Sequence, residues 1–169
     1  MSLENSNRLR VKELVALLPG IHLRELQRLL RASFNTTRYH VYNLERNGEV
    51  QCWREGGYSR LFPPGFDDRT RDFYSALHSK TTRRVLRALV LRGESANGEI
   101  STITGLPKST VSEQLELLCA TSVVTKSTRM GGVSLYDVKD REQVGGALAL
   151  FEKNLLAVVS DSFADLWDF

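Results

Sequence analysis

Hydrogen-bonding side chains cluster in one short stretch of the chain, residues 33–46, which reads SFNTTRYHVYNLER. Thr37, Val41 and Leu44 recur there at the spacing of the inner face of an α-helix, with the threonine methyl as the weakest apolar member. Amide, hydroxyl and guanidinium groups on the outer face could bond to base edges and phosphates if the helix lay in the major groove of DNA. We therefore predict a recognition helix, with DNA contacts from Asn35, Thr36, Thr37, Arg38, Tyr39 and Tyr42.

Two helical patterns precede this stretch. Apolar periodicity predicts a helix over residues 8–18, which Pro19-Gly20 ends, and a second helix over 22–30. Residues 31–33 then make a short turn into the recognition helix. Two helices joined by such a turn are the helix-turn-helix layout.

A β-hairpin is predicted directly after the recognition helix. Residues 49–54 and 58–62 favour strand, and a glycine-containing turn, residues 55–57, separates them. Three helices followed by a hairpin make a winged helix. Arg54 and Arg60 flank the hairpin, so we expect them to hold the phosphate backbone.

The same order of elements recurs further along the chain. Adding 74 to a position in the first unit reaches its partner in the second, so that Val41 maps to Leu115 and Leu44 to Leu118. Two units of one plan in tandem are much less probable by chance than one. The predicted second-unit elements are helices over 81–92, 97–104 and 109–120 and strands over 123–127 and 133–138.

The predicted fold class is mainly α with small β-hairpin wings (α+β): a tandem winged helix-turn-helix followed by a C-terminal amphipathic helix. Its predicted domains are a first winged helix (1–64), a linker with a short helix (65–80), a second winged helix (81–138) and a C-terminal helical segment (139–169).

Composition is that of an ordinary globular protein, with 41% hydrophobic and 25% charged residues. No apolar run approaches the roughly 18 residues that span a bilayer, and the N-terminus lacks a signal-peptide layout, so we expect a cytoplasmic protein. Residues 1–64 carry 10 basic and 6 acidic side chains, whereas residues 140–169 carry 2 and 6. The first unit is therefore better suited to a polyanion than the C-terminal segment.

Metal and enzyme chemistry find little support in the sequence. Three histidines and two cysteines are present, but no two of them share a close ligand spacing, so no metal or cofactor is expected. There is no glycine-rich phosphate loop and no nucleophile elbow, and we predict that the chain is not an enzyme.

Two pairs of motifs resemble a known family. Residues 19–26, PGIHLREL, and 37–48, TRYHVYNLERNG, are similar to the first unit of archaeal tandem winged-helix transcription regulators, whose pattern is PGIHxREL … YHLxxLExxG. Residues 82–86, TRRVL, and 106–112, LPKSTVS, resemble the TRRxIL … LSKSTVSxHL pattern of MarR-like and ArsR-like regulators. The resemblance implies DNA binding and transcriptional regulation, often as a dimer, and adds Lys108, Ser109 and Thr110 as candidate DNA contacts.

The second unit departs from that pattern. Glu113 and Glu116 lie on its recognition face, where phosphates would repel them. Whether this unit contacts DNA or serves as a platform stays open. The thiolate pair of metal-sensing ArsR proteins is missing, so metal sensing is not carried over.

The C-terminal segment has an amphipathic helical pattern over residues 140–159 and a second apolar stripe beyond it. Such a helix needs a surface to cover its apolar face. Because regulators of this kind usually pair by terminal helices, we favour a dimer partner over packing on the same chain. The predicted dimer contacts are Val144, Leu148, Phe151, Leu155, Phe163 and Leu166.

The sequence thus predicts a DNA-binding transcriptional regulator that reads the major groove with its first winged helix as part of a dimer. The alternative is a winged-helix protein–protein adaptor in a transcription or replication complex. The expected partners are double-stranded DNA and a second copy of the chain, and no small-molecule effector can be named.

Overall fold

The structure is a computed structural model that describes the backbone of residues 3–164 and the side chains of residues 6–162. The chain divides into two compact units. The first contains the residues up to Arg71 and those from Phe151 onward, and the second is Asp72–Leu150.

The first unit begins with three helices and a three-stranded antiparallel sheet. In chain order these are α1 (Leu3–Leu17), β1 (Ile21–His22), α2 (Leu23–Leu30), α3 (Phe34–Arg46), β2 (Gln51–Glu55) and β3 (Tyr58–Phe62). The strand order is β1-β3-β2, with Ile21 opposite Leu61 and Cys52 opposite the same residue on the other side. Leu14, Leu26 and Leu44, one from each helix, are fully buried in its core.

A two-residue glycine turn joins β2 to β3. Gly56 and Gly57 have φ angles of +54° and +81°, which glycine adopts without the strain that a Cβ would cause. Two successive positive φ angles match the twist of a tight hairpin. This turn therefore sets the register of the wing.

The second unit repeats the plan of the first. Its elements are α4 (Asp68–Leu77), which leads in from the first unit, α5 (Lys80–Arg92), β4 (Ser95–Ala96), α6 (Asn97–Thr104), α7 (Lys108–Ala120), β5 (Val124–Thr128), β6 (Ser134–Val138) and α8 (Arg141–Ala164), the last of which extends into the first unit. The strand order, β4-β6-β5, mirrors that of the first sheet. The offset of 74 holds for both ends of α2 and α6 and of α3 and α7. It fails in the hairpin, where β5 follows β2 at an offset of 73 (Gln51 to Val124). Residues 129–133 then form a longer connection than the two glycines of the first wing, so β6 follows β3 at an offset of 76 (Tyr58 to Ser134).

The structure of the C-terminal helix α8 corrects the prediction of dimer contacts. Val144, Leu148 and Phe151 are 6%, 4% and 2% exposed in the single chain, so they are not available to a partner. Leu155 is half-buried. The side chain of Phe163 and the whole of Leu166 lie outside the described residues.

Close packing against the same chain explains this burial. A Cβ added at Gly145 would lie 3.1 Å from Val90 Cγ1, which shows how closely α8 approaches α5 in the second unit. In the first unit, Asn154 Nδ2 donates to the Leu17 carbonyl at 3.0 Å and an Arg31 Nη2 donates to the Ser162 carbonyl at 3.1 Å. The helix also continues through residues 160–162, beyond the helical pattern that the sequence predicted over 140–159.

Candidate nucleic-acid interface

Helix α3 has a well-defined beginning and end. Ser33 is its N-cap, and the Ser33 Oγ accepts a hydrogen bond from the Thr36 backbone N–H at 3.0 Å. A serine at this position satisfies one of the amides that a helix leaves unpaired at its start. Asn47 caps the other end and Gly48, with φ of +69°, turns the chain away. The cap places the polar residues 35–42 in the first two turns.

Five of the predicted contacts share the outer face of α3. Tyr39 and Tyr42 are 53% and 56% exposed. The Arg38 guanidinium lies over the ring of Phe34, with its Cζ 5.8 Å from the ring centroid, which limits the directions in which it can point. The exposed predicted residues of this helix are Asn35, Thr36, Arg38, Tyr39 and Tyr42.

The structure corrects the prediction for Thr37, the sixth expected DNA contact on α3. Its side chain is fully buried, and its hydroxyl donates to the Ser33 carbonyl at 3.0 Å. It shares the inner face of α3 with His40, Val41 and Leu44, all buried. Since this face packs on the unit's own core, Thr37 has no path to a duplex.

A groove of about 490 Å³ lies between α3 and the hairpin. Arg38 and Tyr42 line it from the helix, and Cys52 and Arg54 line it from strand β2. The structure thus brings four of the predicted helix contacts and one predicted wing contact to a common concave surface: Asn35, Arg38, Tyr39, Tyr42 and Arg54.

Arg54 lies on that surface in an ion pair. Its Nη1 and Nη2 donate to the two carboxylate oxygens of Glu45 at 3.0 and 2.7 Å. This bidentate pairing raises the pKa of Arg54 above its ordinary value. The pair joins the end of α3 to the first strand of the wing.

The structure also corrects the prediction for Arg60, the other expected phosphate contact of the wing. It lies in the central strand β3, where its Nη1 donates to the Gly20 carbonyl at 2.7 Å. Burial lowers the pKa of its guanidinium, which still remains protonated at neutral pH. Arg60 therefore fixes the turn between α1 and β1 and does not project toward a phosphate.

Two arginines of α2 were missed by sequence reasoning. Arg24 and Arg28 are exposed and line a second concavity, of about 340 Å³, together with Phe34 and Tyr58. Their spacing of four residues, which places them on one side of the helix, was the signal in the sequence that could have identified them. They add two exposed guanidinium groups next to the start of α3.

An electrostatic cluster ties α1 to the segment after α3. The carboxylate of Glu49 accepts hydrogen bonds from the side chains of Arg8 and Lys12, the latter at 2.6 Å. The bonds from Lys12 and Arg8 lower the pKa of Glu49 to about 2. This cluster holds the base of the wing against α1.

The equivalent face of the second unit begins with Lys108, Ser109 and Thr110 at the start of α7. Lys108 and Ser109 are exposed and Thr110 is half-buried. Asn97 Nδ2 donates to the Lys108 carbonyl at 3.1 Å and to Ser112 Oγ at 2.7 Å, which pins the start of α7 to α6.

The offset of 74 identifies the residues of the second unit that occupy the positions of the proposed contacts of the first. The positions of Arg38, Tyr39 and Tyr42 are taken by Ser112, Glu113 and Glu116, and the strand position of Arg54 is taken by Ser127 of β5. The second face therefore has two carboxylates where the first has tyrosines, and no arginine at either matched position.

The cysteines and the other titratable side chains offer no metal centre in the described part of the chain. Cys52 and Cys119 are half-buried, and burial raises the pKa of both thiols, which keeps them protonated near neutral pH. No group of three or more histidine, cysteine, aspartate or glutamate side chains comes together among the described residues. None of the described helices is both long and apolar enough to cross a membrane.

Comparison with known families gives one match. Residues 5–73 match the model of a family described as HTH_HVO_0163_N, N-terminal HTH domain. This range contains α1 from residue 5 onward, α2, α3 and the hairpin. Residues 5–73 are therefore a helix-turn-helix domain, here with a hairpin wing. No curated protein matches the chain.

Three solved structures are similar to parts of the chain. The homodimeric winged helix-turn-helix DNA-binding domain (fragment 1–100) of Mb0332 from Mycobacterium bovis, a possible ArsR-family transcriptional regulator, is 26% identical, with 62% of this chain and 96% of that chain covered and a TM-score of 0.41. A possible transcriptional regulator from Methanosarcina mazei Go1 is 15% identical, with coverages of 70% and 98% and a TM-score of 0.38. ScpB from Mycobacterium tuberculosis is 11% identical, with coverages of 82% and 93% and a TM-score of 0.30. Because these TM-scores are low, the winged-helix fold is assigned from the helices and strands of this chain alone.

Proposed function

We propose that this protein is a DNA-binding transcriptional regulator whose first winged helix reads the major groove. The observation that carries the proposal is the outer face of α3, where five hydrogen-bonding side chains are exposed beside a groove and next to a hairpin wing. The match of residues 5–73 to an N-terminal helix-turn-helix domain supports it.

Each exposed side chain has a role that its chemistry suits. Arg38 can bond bidentately to guanine and Asn35 to adenine, which are the pairings that the major groove favours. The hydroxyl groups of Thr36, Tyr39 and Tyr42 can bond to phosphates, which position the helix without reading sequence.

Helix α2 would contribute positive charge to the interface. Arg24 and Arg28 are exposed on α2, and Arg54 is exposed on β2 but held by Glu45. Guanidinium groups around a recognition helix would release counterions from DNA and make its binding depend steeply on salt.

The domain bounds and the binding of DNA by two copies of the chain are part of the same proposal. We propose winged helices over residues 1–64 and 81–138, a linker over 65–80 and a C-terminal segment over 139–169. A single recognition helix covers a short half-site, so we also propose that two copies bind adjacent half-sites about one helical turn apart. The second winged helix, with Glu113 and Glu116 on its outer face, then serves mainly as a platform.

The test combines selection from a random DNA pool with a salt series. The selected duplex is expected to bind far more weakly as salt rises, with half-sites about 10 base pairs apart. Arg38→Ala should weaken binding by about 1–3 kcal/mol and relax selection at one position. Arg10→Ala is the matched control, because Arg10 is also exposed but pairs with Glu13 on α1 at 3.5 Å.

A different outcome would reject the proposal. If no sequence is enriched and the wild-type protein binds duplex DNA without dependence on salt, the regulator function is wrong. A protein–protein adaptor would then be the better description, and capture of a protein partner at high salt would support it.

A further inference from the structure

Arg54 is exposed and yet already paired in the free protein. Its side chain is 61% exposed, so a ligand can reach it from solvent. Both of its terminal nitrogens, however, donate to Glu45, at 3.0 and 2.7 Å. Glu45 lies on α3 one turn after Tyr42, so the pair bridges the proposed recognition helix and the wing.

A DNA phosphate would compete with Glu45 for the guanidinium. The bidentate pair occupies the edge formed by Nη1 and Nη2, so a phosphate cannot bind that edge while the pair holds. The remaining N–H groups of Arg54 lie beside the carboxylate. The negative charge of Glu45 would also repel a phosphate that approached Arg54.

We propose that Glu45 is a positioning residue that keeps Arg54 away from phosphates, so that binding to DNA of arbitrary sequence proceeds without the wing arginine. This inference rests on the proposed function. It means that Glu45 lowers sequence-independent affinity and leaves a larger share of binding to the base contacts of α3.

The experiment measures the affinity of the full chain for a short duplex of random sequence across a series of salt concentrations. Glu45→Gln frees Arg54 and is expected to tighten binding about twofold to fivefold, the range for breaking an exposed ion pair. The slope of log K against log salt should become steeper by about 0.9, which is the value for one added phosphate contact.

Glu55→Gln is the matched control. Glu55 lies next to Arg54 on the same strand, and its Oε2 accepts a hydrogen bond from Trp53 Nε1 at 3.4 Å. Removing the charge of Glu55 changes the net charge of the protein by the same amount as Glu45→Gln does, without releasing Arg54. We expect a smaller gain in affinity and an unchanged slope.

Arg54→Ala, made alone and together with Glu45→Gln, completes the test. Alone it should leave the slope unchanged, and in the double variant it should cancel the gain from Glu45→Gln. The proposal is overturned if Glu45→Gln binds no more tightly than Glu55→Gln, or if Arg54→Ala alone makes the slope shallower by about 0.9. If the wild-type protein shows no salt-dependent binding, the proposed function itself has failed, which the first measurement reveals before any variant is compared.

Discussion

The carboxylate of Glu49 lies between two cations of α1. Its side chain bonds to Lys12 at 2.6 Å and to Arg8, and these bonds lower its pKa from 4.5 to about 2. A carboxylate whose pKa is lower in the folded state than in the unfolded state stabilises the fold above its unfolded pKa. Glu49 therefore stabilises the first unit above about pH 4.5, and this contribution is lost as the pH falls toward 2.

Glu49→Gln is expected to flatten this acid dependence. The variant should be less stable than the wild type at pH 7, and the difference should shrink as the pH falls from about 4.5 toward 2, because protonation removes the same charge from the wild type. Urea unfolding at a series of pH values measures this. Glu13→Gln removes a carboxylate of α1 that these two cations do not bracket and serves as control. A constant difference between Glu49→Gln and wild type at all pH values would contradict the assignment.

Three arginines of the first unit differ according to what lies beside them. Arg38 is exposed over an aromatic ring, Arg54 is exposed but ion-paired, and Arg60 is half-buried and bonded to a backbone carbonyl. Their charge is the same, so composition cannot separate them. The donors that each one has available depend on the neighbour that the fold provides: Phe34 for Arg38, Glu45 for Arg54 and the distant Gly20 for Arg60.

At the scale of elements, the two-glycine turn controls the geometry of the wing. No atom lies within 4 Å of a Cβ added at Gly57, so a substitution there meets no steric obstacle. Its φ of +81° is nevertheless costly for a residue with a side chain.

Gly57→Ala is expected to destabilise the fold by about 1 kcal/mol through backbone strain alone. Gly57→Asn is the matched variant, since asparagine tolerates positive φ better than alanine does, and it should cost less. Thermal unfolding of both proteins measures the difference. If the asparagine variant were as destabilised as the alanine variant, strain at φ would not be the cause.

Most helices of the two winged units could be predicted from sequence. The predicted helix over 22–30 corresponds to Leu23–Leu30, and the predicted stretch 33–46 corresponds to Phe34–Arg46 with Ser33 as its cap. These limits follow from local signals, which are the periodic apolar residues and the capping serine Ser33. The first helix begins earlier than predicted, because residues 3–7 contain no glycine or proline that would stop it.

At the scale of the whole molecule, α8 is part of the fold. Leu148 is 4% exposed in the single chain, whereas Leu150, two residues later on the same helix, is 57% exposed. An α-helix rotates by about 100° per residue, so these two side chains point to different sides of α8.

Leu148→Ala is expected to lower the free energy of unfolding by about 2–5 kcal/mol, because it leaves a cavity in the core. Leu150→Ala makes the same chemical change at an exposed position and should change it by less than about 0.5 kcal/mol. Urea unfolding at several protein concentrations measures both. A large loss in Leu150→Ala that depends on protein concentration would instead show that the exposed side of α8 is covered in an assembly.

The order of helices and hairpins, their repetition at an offset of 74 and the polar outer face of α3 could all be read from the chain alone. Each of these depends on the periodicity of neighbouring residues, which the sequence contains directly. What polar groups bond to, and what covers an apolar stripe, depends on residues brought together from far apart. Only the tertiary structure therefore decided that Arg60 bonds to Gly20, 40 positions away, and that Leu148 is buried in its own chain.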